Sequence, residues 1–177
     1  FKHIWVYIEG DPRFSKVKRD TRSMVYALAE KEFKNLKLAY EAGVRVPKPV
    51  VWRSNVLVME FIGENGVSAP RLRDAVVEDP ESVFGVVFDY VIKLYRKAEL
   101  IHADLSEYNI LYWKEPVIID VSQAVLLSHP LALDFLVRDL KNNSAFPCSL
   151  KTWRITTIEQ PTIPKPTQRG KKPGPGP

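Results

Sequence analysis

His102, Asp104, Asn109 and Asp120 fall within one stretch of twenty residues, 101–120. Two carboxylates and an amide offer hard oxygen donors, the kind that Mg2+ takes while keeping several waters and the oxygens of a phosphate chain. A carboxylate placed this way can also sit beside an incoming hydroxyl. His102 reads as structural, hydrogen-bonding the loop rather than acting as an acid or base. The apolar runs 110–112 and 117–119 flank a turn-like Trp113-Lys114-Glu115-Pro116 and predict a hairpin. Such a hairpin gathers Asp104, Asn109 and Asp120 at its mouth.

Other elements must position that hairpin. Residues 23–42 predict a strong helix stopped by Gly43. At 3.6 residues per turn, Leu28, Ala29, Phe33, Leu36, Ala39 and Tyr40 form one face, and Glu30, Lys31, Lys34, Asn35 and Lys37 lie opposite. Glu32 is in line with Leu28 and Leu36 on the apolar face, so it either reaches water at the edge or takes part in an ion pair. Two strand-like segments, 49–52 and 56–59, follow, then a Pro/Gly-containing connector over 63–80. A second helix is expected over 81–99 and a shorter third one over 131–140.

At 177 residues the length suits one domain, or one lobe of a larger one with a tail. No apolar run approaches the roughly 20 residues of a membrane helix, so no membrane partner is expected. The start, Phe1-Lys2-His3-Ile4-Trp5, shows neither an initiator Met nor a signal pattern, and the chain is expected to begin mid-protein. The single cysteine, Cys148, excludes an intramolecular disulfide and, with the missing signal, suggests a cytoplasmic location. Residues 147–177 carry six basic side chains against one acid, which accounts for the whole net charge of +5. With seven of the 14 prolines, this tail is expected to be disordered, and its basic character allows RNA contact.

The His-x-Asp-(x4)-Asn spacing followed by a strand ending in Asp is a phosphoryl-transfer pattern shared by protein kinases and small-molecule phosphotransferases. The fuller string is more specific. Residues 100–112 with 118–125 resemble the RIO family of atypical serine/threonine kinases, in its type 1 branch and archaeal-like form: His102-Ala103-Asp104 and Asp120-Val121-Ser122 stand where an ordinary kinase has His-Arg-Asp and Asp-Phe-Gly. Residues 10–14 resemble that family's loop before helix C, 29–36 helix C itself, and 58–63 the hinge.

The resemblance implies an α+β, protein-kinase-like bilobal fold: a partial N-lobe over 1–62, a helical C-lobe over 63–146, and the tail. It also implies roles. Asp104 is the catalytic carboxylate, while Asn109 and Asp120 hold Mg2+ or Mn2+. Met59 is the gatekeeper, and backbone groups of Glu60 and Ile62 bind the adenine of ATP. Glu32 would pair with the phosphate-positioning Lys, and Asp120 is also a candidate to accept the phosphoryl group covalently. The family role implied is maturation of the small ribosomal subunit precursor, by protein phosphorylation or by ATP hydrolysis.

The 177 residues contain no Ser-x-Gly-Lys-Glu-like phosphate loop and no matching Lys, and they diverge from the family after 146. The chain therefore reads as truncated in front and is expected to show little or no kinase activity alone. Two alternatives stand beside this one: an aminoglycoside-type small-molecule phosphotransferase, and a non-catalytic fragment that binds a pre-ribosome.

Overall fold

The computed structural model describes residues 4–144; the Pro-rich basic tail lies outside the described residues. The chain opens with two short 3-10 turns, Ile4–Tyr7 and Pro12–Phe14. Helix α1 (Thr21–Glu41) begins where the Asp20 side chain accepts the Ser23 N–H at 2.9 Å. It ends at Gly43, whose φ of +77° lets the Val44 N–H reach back to the Ala39 carbonyl at 3.1 Å. The chain then forms the antiparallel pair β1 (Pro49–Arg53) and β2 (Val56–Met59).

The connector that the sequence leaves as a loop contains a small hairpin, β3 (Gly63–Glu64) with β4 (Val67–Ser68), and a 3-10 turn at Leu72–Asp74. Helix α2 (Pro80–Lys93) is shorter than expected, because at Leu94–Ala98 the chain widens into a π turn that closes on Glu99 at φ +53°. Strand β5 (Leu100–Ile101) leads into the loop before the hairpin. The hairpin is β6 (Ile110–Trp113) and β7 (Glu115–Ile118), in register from Ile110↔Ile118 to Trp113↔Glu115. Its turn is tighter than Trp113–Pro116, since Lys114 alone, at φ +62°, makes the reversal. Strand β8 (Val125–Leu126) pairs back onto β5, and α3 (Ala132–Ser144) follows.

One apolar cluster ties these parts together. Leu36 and Ala39 of α1, Val87 and Tyr90 of α2, Leu100, Leu105, and Ile110 and Ile118 of the hairpin share a buried core with Val121 and Ala124. Burial of these side chains at roughly 25 cal/mol per Å2 is what holds the hairpin against both helices. Within α1 the buried stripe differs from the expected one. It runs through Ala27, Lys31, Asn35 and Ala39, whereas Tyr40 is 46% exposed. The helix is covered on two sides: Phe33 packs on Trp52 of β1 with ring centroids 5.4 Å apart, and the 121–124 segment lies against Lys31 and Asn35. Ala39 shares a buried cluster with Val121 and Ala124, and the carbonyls of that segment satisfy the polar ends of Lys31 and Asn35.

Candidate active site

The mouth of the β6–β7 hairpin is set by main-chain bonds. The Ile119 N–H donates to the Asn109 carbonyl at 2.9 Å, continuing the ladder one step beyond Ile110↔Ile118 and bringing Asn109 beside the residue that precedes Asp120. His102, 2% exposed, sets its Nε2 3.2 Å from the Ile119 carbonyl. Burial holds the His102 imidazole below its usual pKa range, so it serves as a neutral strut. The loop itself hangs from α3. Asp139, 2% exposed, accepts the N–H groups of Ala103 at 2.7 Å and Leu105 at 3.0 Å. Burial raises the Asp139 pKa, partly offset by His102 and by these two donors. Arg138 donates to the Ala103 carbonyl and to the Tyr7 hydroxyl. With the backbone gripped from both sides, Ala103 adopts φ +65° and Asp104 is turned toward Asn109.

The Asn109 amide donates through Nδ2 to the Asp104 carbonyl at 2.8 Å and to Asp104 Oδ2 at 3.3 Å, which leaves Asn109 Oδ1 as an acceptor. Gln123 donates to the same Asp104 oxygen at 3.1 Å. Asp120, at φ +56°, receives the Ser122 hydroxyl on Oδ1 at 2.6 Å. The remaining donors are thus carboxylate and amide oxygens. This set fits a hard divalent cation that completes its shell with water and phosphate oxygens. No group of three or more His, Cys, Asp or Glu arranged to hold a metal occurs among the described residues.

Glu32 faces this site from α1. Burial, with the Asp120 charge adding to it, pushes the Glu32 carboxyl up to about 7. No ion pair involving Glu32 occurs among the described residues, so the partner expected for it is not present there. The hinge segment lies further along. The Glu60 carboxylate is held by Arg45 through two 2.9 Å bonds and by the Lys48 N–H at 3.0 Å, which keeps it below its ordinary range. The Glu60 N–H donates to the Lys48 carbonyl at 2.9 Å, and the Ile62 carbonyl accepts from Ala69 at 3.0 Å. The opposite backbone groups, the Glu60 carbonyl and the Ile62 N–H, make no such bond among the described residues. Met59, 36% exposed, ends β2 just before them.

Several side chains that build this site were not singled out from sequence. Lys31 and Asn35, which the helical wheel sets opposite the apolar face of α1, are both fully buried. Their spacing of four, in line with Ala27 and Ala39, was the available signal. Asp139 shares a stripe with Ala132 and Phe135 of α3, and an acid on such a stripe marks a buried acceptor. Ser122 and Gln123 lie in the 118–125 string that carries the family resemblance, but nothing in the sequence gives either of them a contact with the site carboxylates.

Solved structures place the fold among kinases. The Rio2 kinase of Chaetomium thermophilum, as its ADP/Mg2+-phosphoaspartate complex, superposes with a TM-score of 0.60 at 31% identity, over 77% of this chain and 45% of that one. The RIO domain model matches residues 1–152, and the chain belongs to the RIO family. It is 48% identical over 147 residues to the RIO-type serine/threonine-protein kinase Rio1 of Haloferax volcanii, covering 82% of this chain and 50% of that protein. The Rio1 kinase of Methanocaldococcus jannaschii is 48% identical over 143 residues, covering 80% and 49% respectively. The chain thus spans about half the length of these two relatives. It covers 77% of the Rio1 kinase of Thermoplasma acidophilum, at 42% identity. No helix among the described residues is long and apolar enough to cross a membrane.

Proposed function

We propose that the chain carries the hydroxyl-orienting and metal-binding half of an ATP-dependent RIO-type serine/threonine kinase or ATPase. The observation that supports this best is the division of labour at the hairpin mouth. The Asn109 amide spends its donor on Asp104 and keeps its acceptor, while Asp120 keeps the oxygen that Ser122 does not touch. In this reading Asp104, held by Asn109 and Gln123, orients the acceptor hydroxyl. Asn109 and Asp120 would hold Mg2+ or Mn2+. When bound, the metal neutralises charge on the transferring phosphoryl group. Met59 would border the adenine pocket, with the Glu60 carbonyl and the Ile62 N–H as its hydrogen-bonding edge. His102 and Asp139 keep the loop rigid without exchanging protons with substrate.

Asp120 is also a candidate acceptor of the phosphoryl group, and the phosphoaspartate named for the Chaetomium Rio2 structure favours this second reading. The Asp120 oxygen without a protein partner would bond to the γ-phosphorus as the bond to the bridging oxygen breaks and ADP leaves. Glu32 meets no cationic side chain among the described residues, so these 177 residues alone are proposed to transfer phosphate slowly. Small-subunit precursor maturation remains the role proposed from family resemblance. Thermal unfolding with and without Mn2+-ADP tests the site. A ligand at 100 times its Kd stabilises by about 2.7 kcal/mol, and Asp120→Asn is expected to remove that gain. Equal stabilisation of both proteins would refute the assignment of Asp120.

A further inference from the structure

Lys31 is the largest fully buried side chain among the described residues, and none of their carboxylates is in hydrogen-bond or ion-pair contact with it. Its ammonium donates instead to the Ser122 carbonyl at 2.9 Å and to the Ala124 carbonyl. One helical turn on, Asn35 Nδ2 donates to the Val121 and Ala124 carbonyls, both at 2.9 Å. Three of the four carbonyls in the segment after Asp120 are therefore held by two side chains of α1. The Asn35 amide cannot turn over. Its oxygen accepts from Arg13 at 2.9 Å, and Arg13 is itself forked onto buried Asp11, with contacts of 2.7 and 3.0 Å. Burying an ammonium is costly, and an apolar side chain of the same length would fill the space without that cost. What the ammonium adds is direction, because it holds the Ser122 carbonyl, which Asn35 does not reach, and shares the Ala124 carbonyl with Asn35.

From Ser122 the arrangement continues to the site. The same residue whose carbonyl Lys31 holds sends its hydroxyl to Asp120 Oδ1 at 2.6 Å. We infer that Lys31, Asn35 and Ser122 form a positioning arm that runs from α1 to Asp120 and sets which carboxylate oxygen faces the nucleotide. This rests on the reading of Asp120 given above. Glu32 follows Lys31 directly on α1, so a single helix sets the placement of both carboxylates, and the three residues of the arm act through Asp120.

The test uses the full chain with Lys31→Met, Ser122→Ala, Ser122→Thr and Asp120→Asn. Two readouts are taken: backbone amide exchange of residues 121–124 without metal, and Mn2+ binding in the presence of ADP followed by electron paramagnetic resonance. Lys31→Met is expected to speed exchange in 121–124 at least tenfold while α3 keeps its protection, and to weaken Mn2+ binding about tenfold. Ser122→Ala is expected to weaken Mn2+ binding about fivefold with exchange unchanged, and Ser122→Thr to restore it. Wild-type exchange in Lys31→Met would overturn the arm. So would wild-type Mn2+ affinity in Ser122→Ala alongside its loss in Asp120→Asn. If Asp120→Asn binds Mn2+ as the wild type does, or the wild type binds none, the function reading fails and the exchange result still decides the arm. Ser122 is partly exposed, so its two variants report on the arm should Lys31→Met not fold.

Discussion

Glu32→Gln isolates the electrostatics of a carboxylate that faces Asp120 with no ion pair among the described residues. The folded protein holds the Glu32 proton up to about 7, through burial first and the Asp120 charge second, against an ordinary value of 4.5. The folded state therefore binds this proton more tightly than the unfolded chain. The stability it contributes is fully present below pH 4.5 and is lost as pH rises through about 7. At about 1.4 kcal/mol per pH unit the upper bound is about 3 kcal/mol, and partial solvent access brings it to on the order of 1–2 kcal/mol. Gln keeps the shape and does not titrate. Glu32→Gln is thus expected to be about neutral at pH 5 and to gain 1–2 kcal/mol at pH 8.5, roughly 1 M in urea midpoint for a domain of this size. Lys31 changes with pH in the opposite sense. Burial pulls it from 10.5 to about 7, so its contribution is present above 10.5 and lost as pH falls through about 7. That term is common to both proteins and cancels in the difference. An equal effect of the substitution at both pH values, or a loss at pH 8.5, would refute the reasoning.

Removing the anchor of the 102–105 loop should be costly. Asp139→Ala leaves the Ala103 and Leu105 N–H groups buried without acceptors and is expected to destabilise by about 3 kcal/mol, with Asp139→Asn costing less, both read from urea midpoints. Gly63→Ala places a methyl group 2.1 Å from the Val67 carbonyl oxygen at a backbone φ of +154°, and should lower thermal stability by about 2 kcal/mol or more. The Asp120→Asn ligand-stabilisation experiment and the exchange and metal-binding measurements on Lys31 and Ser122 complete the set.

Some of this architecture was legible because local chemistry and tertiary structure agree. Strands 49–52 and 56–59 and the hairpin after Asn109 were readable from β-branched runs bounded by turn residues, and β1, β2, β6 and β7 lie on them. The α1 stop at Gly43 was readable from the need for a left-handed residue there. Elsewhere the two disagree. Lys31 and Asn35 look like surface residues because a hydrophobicity wheel cannot anticipate carbonyls delivered by a segment about ninety residues away. The π turn after α2 and the β3–β4 hairpin depend on packing, not on a periodic pattern. Glu32 stands out in the sequence as an acid among apolar neighbours, expected at a water-reaching edge or in an ion pair; in the fold it is a desolvated carboxylate opposite Asp120.

Ala103 and Asp120 both occupy left-handed backbone, at φ +65° and +56°. Asp tolerates that region, but a Cβ-bearing alanine is held there at a cost on the order of 1 kcal/mol. A glycine at 103 would relieve that steric conflict and also free the loop to explore other conformations. Selection for a tougher protein and selection for a sharply aimed Asp104 therefore pull this position in opposite directions. On the role proposed for Asp104, Ala103 is a place where robustness would be gained at the expense of turnover.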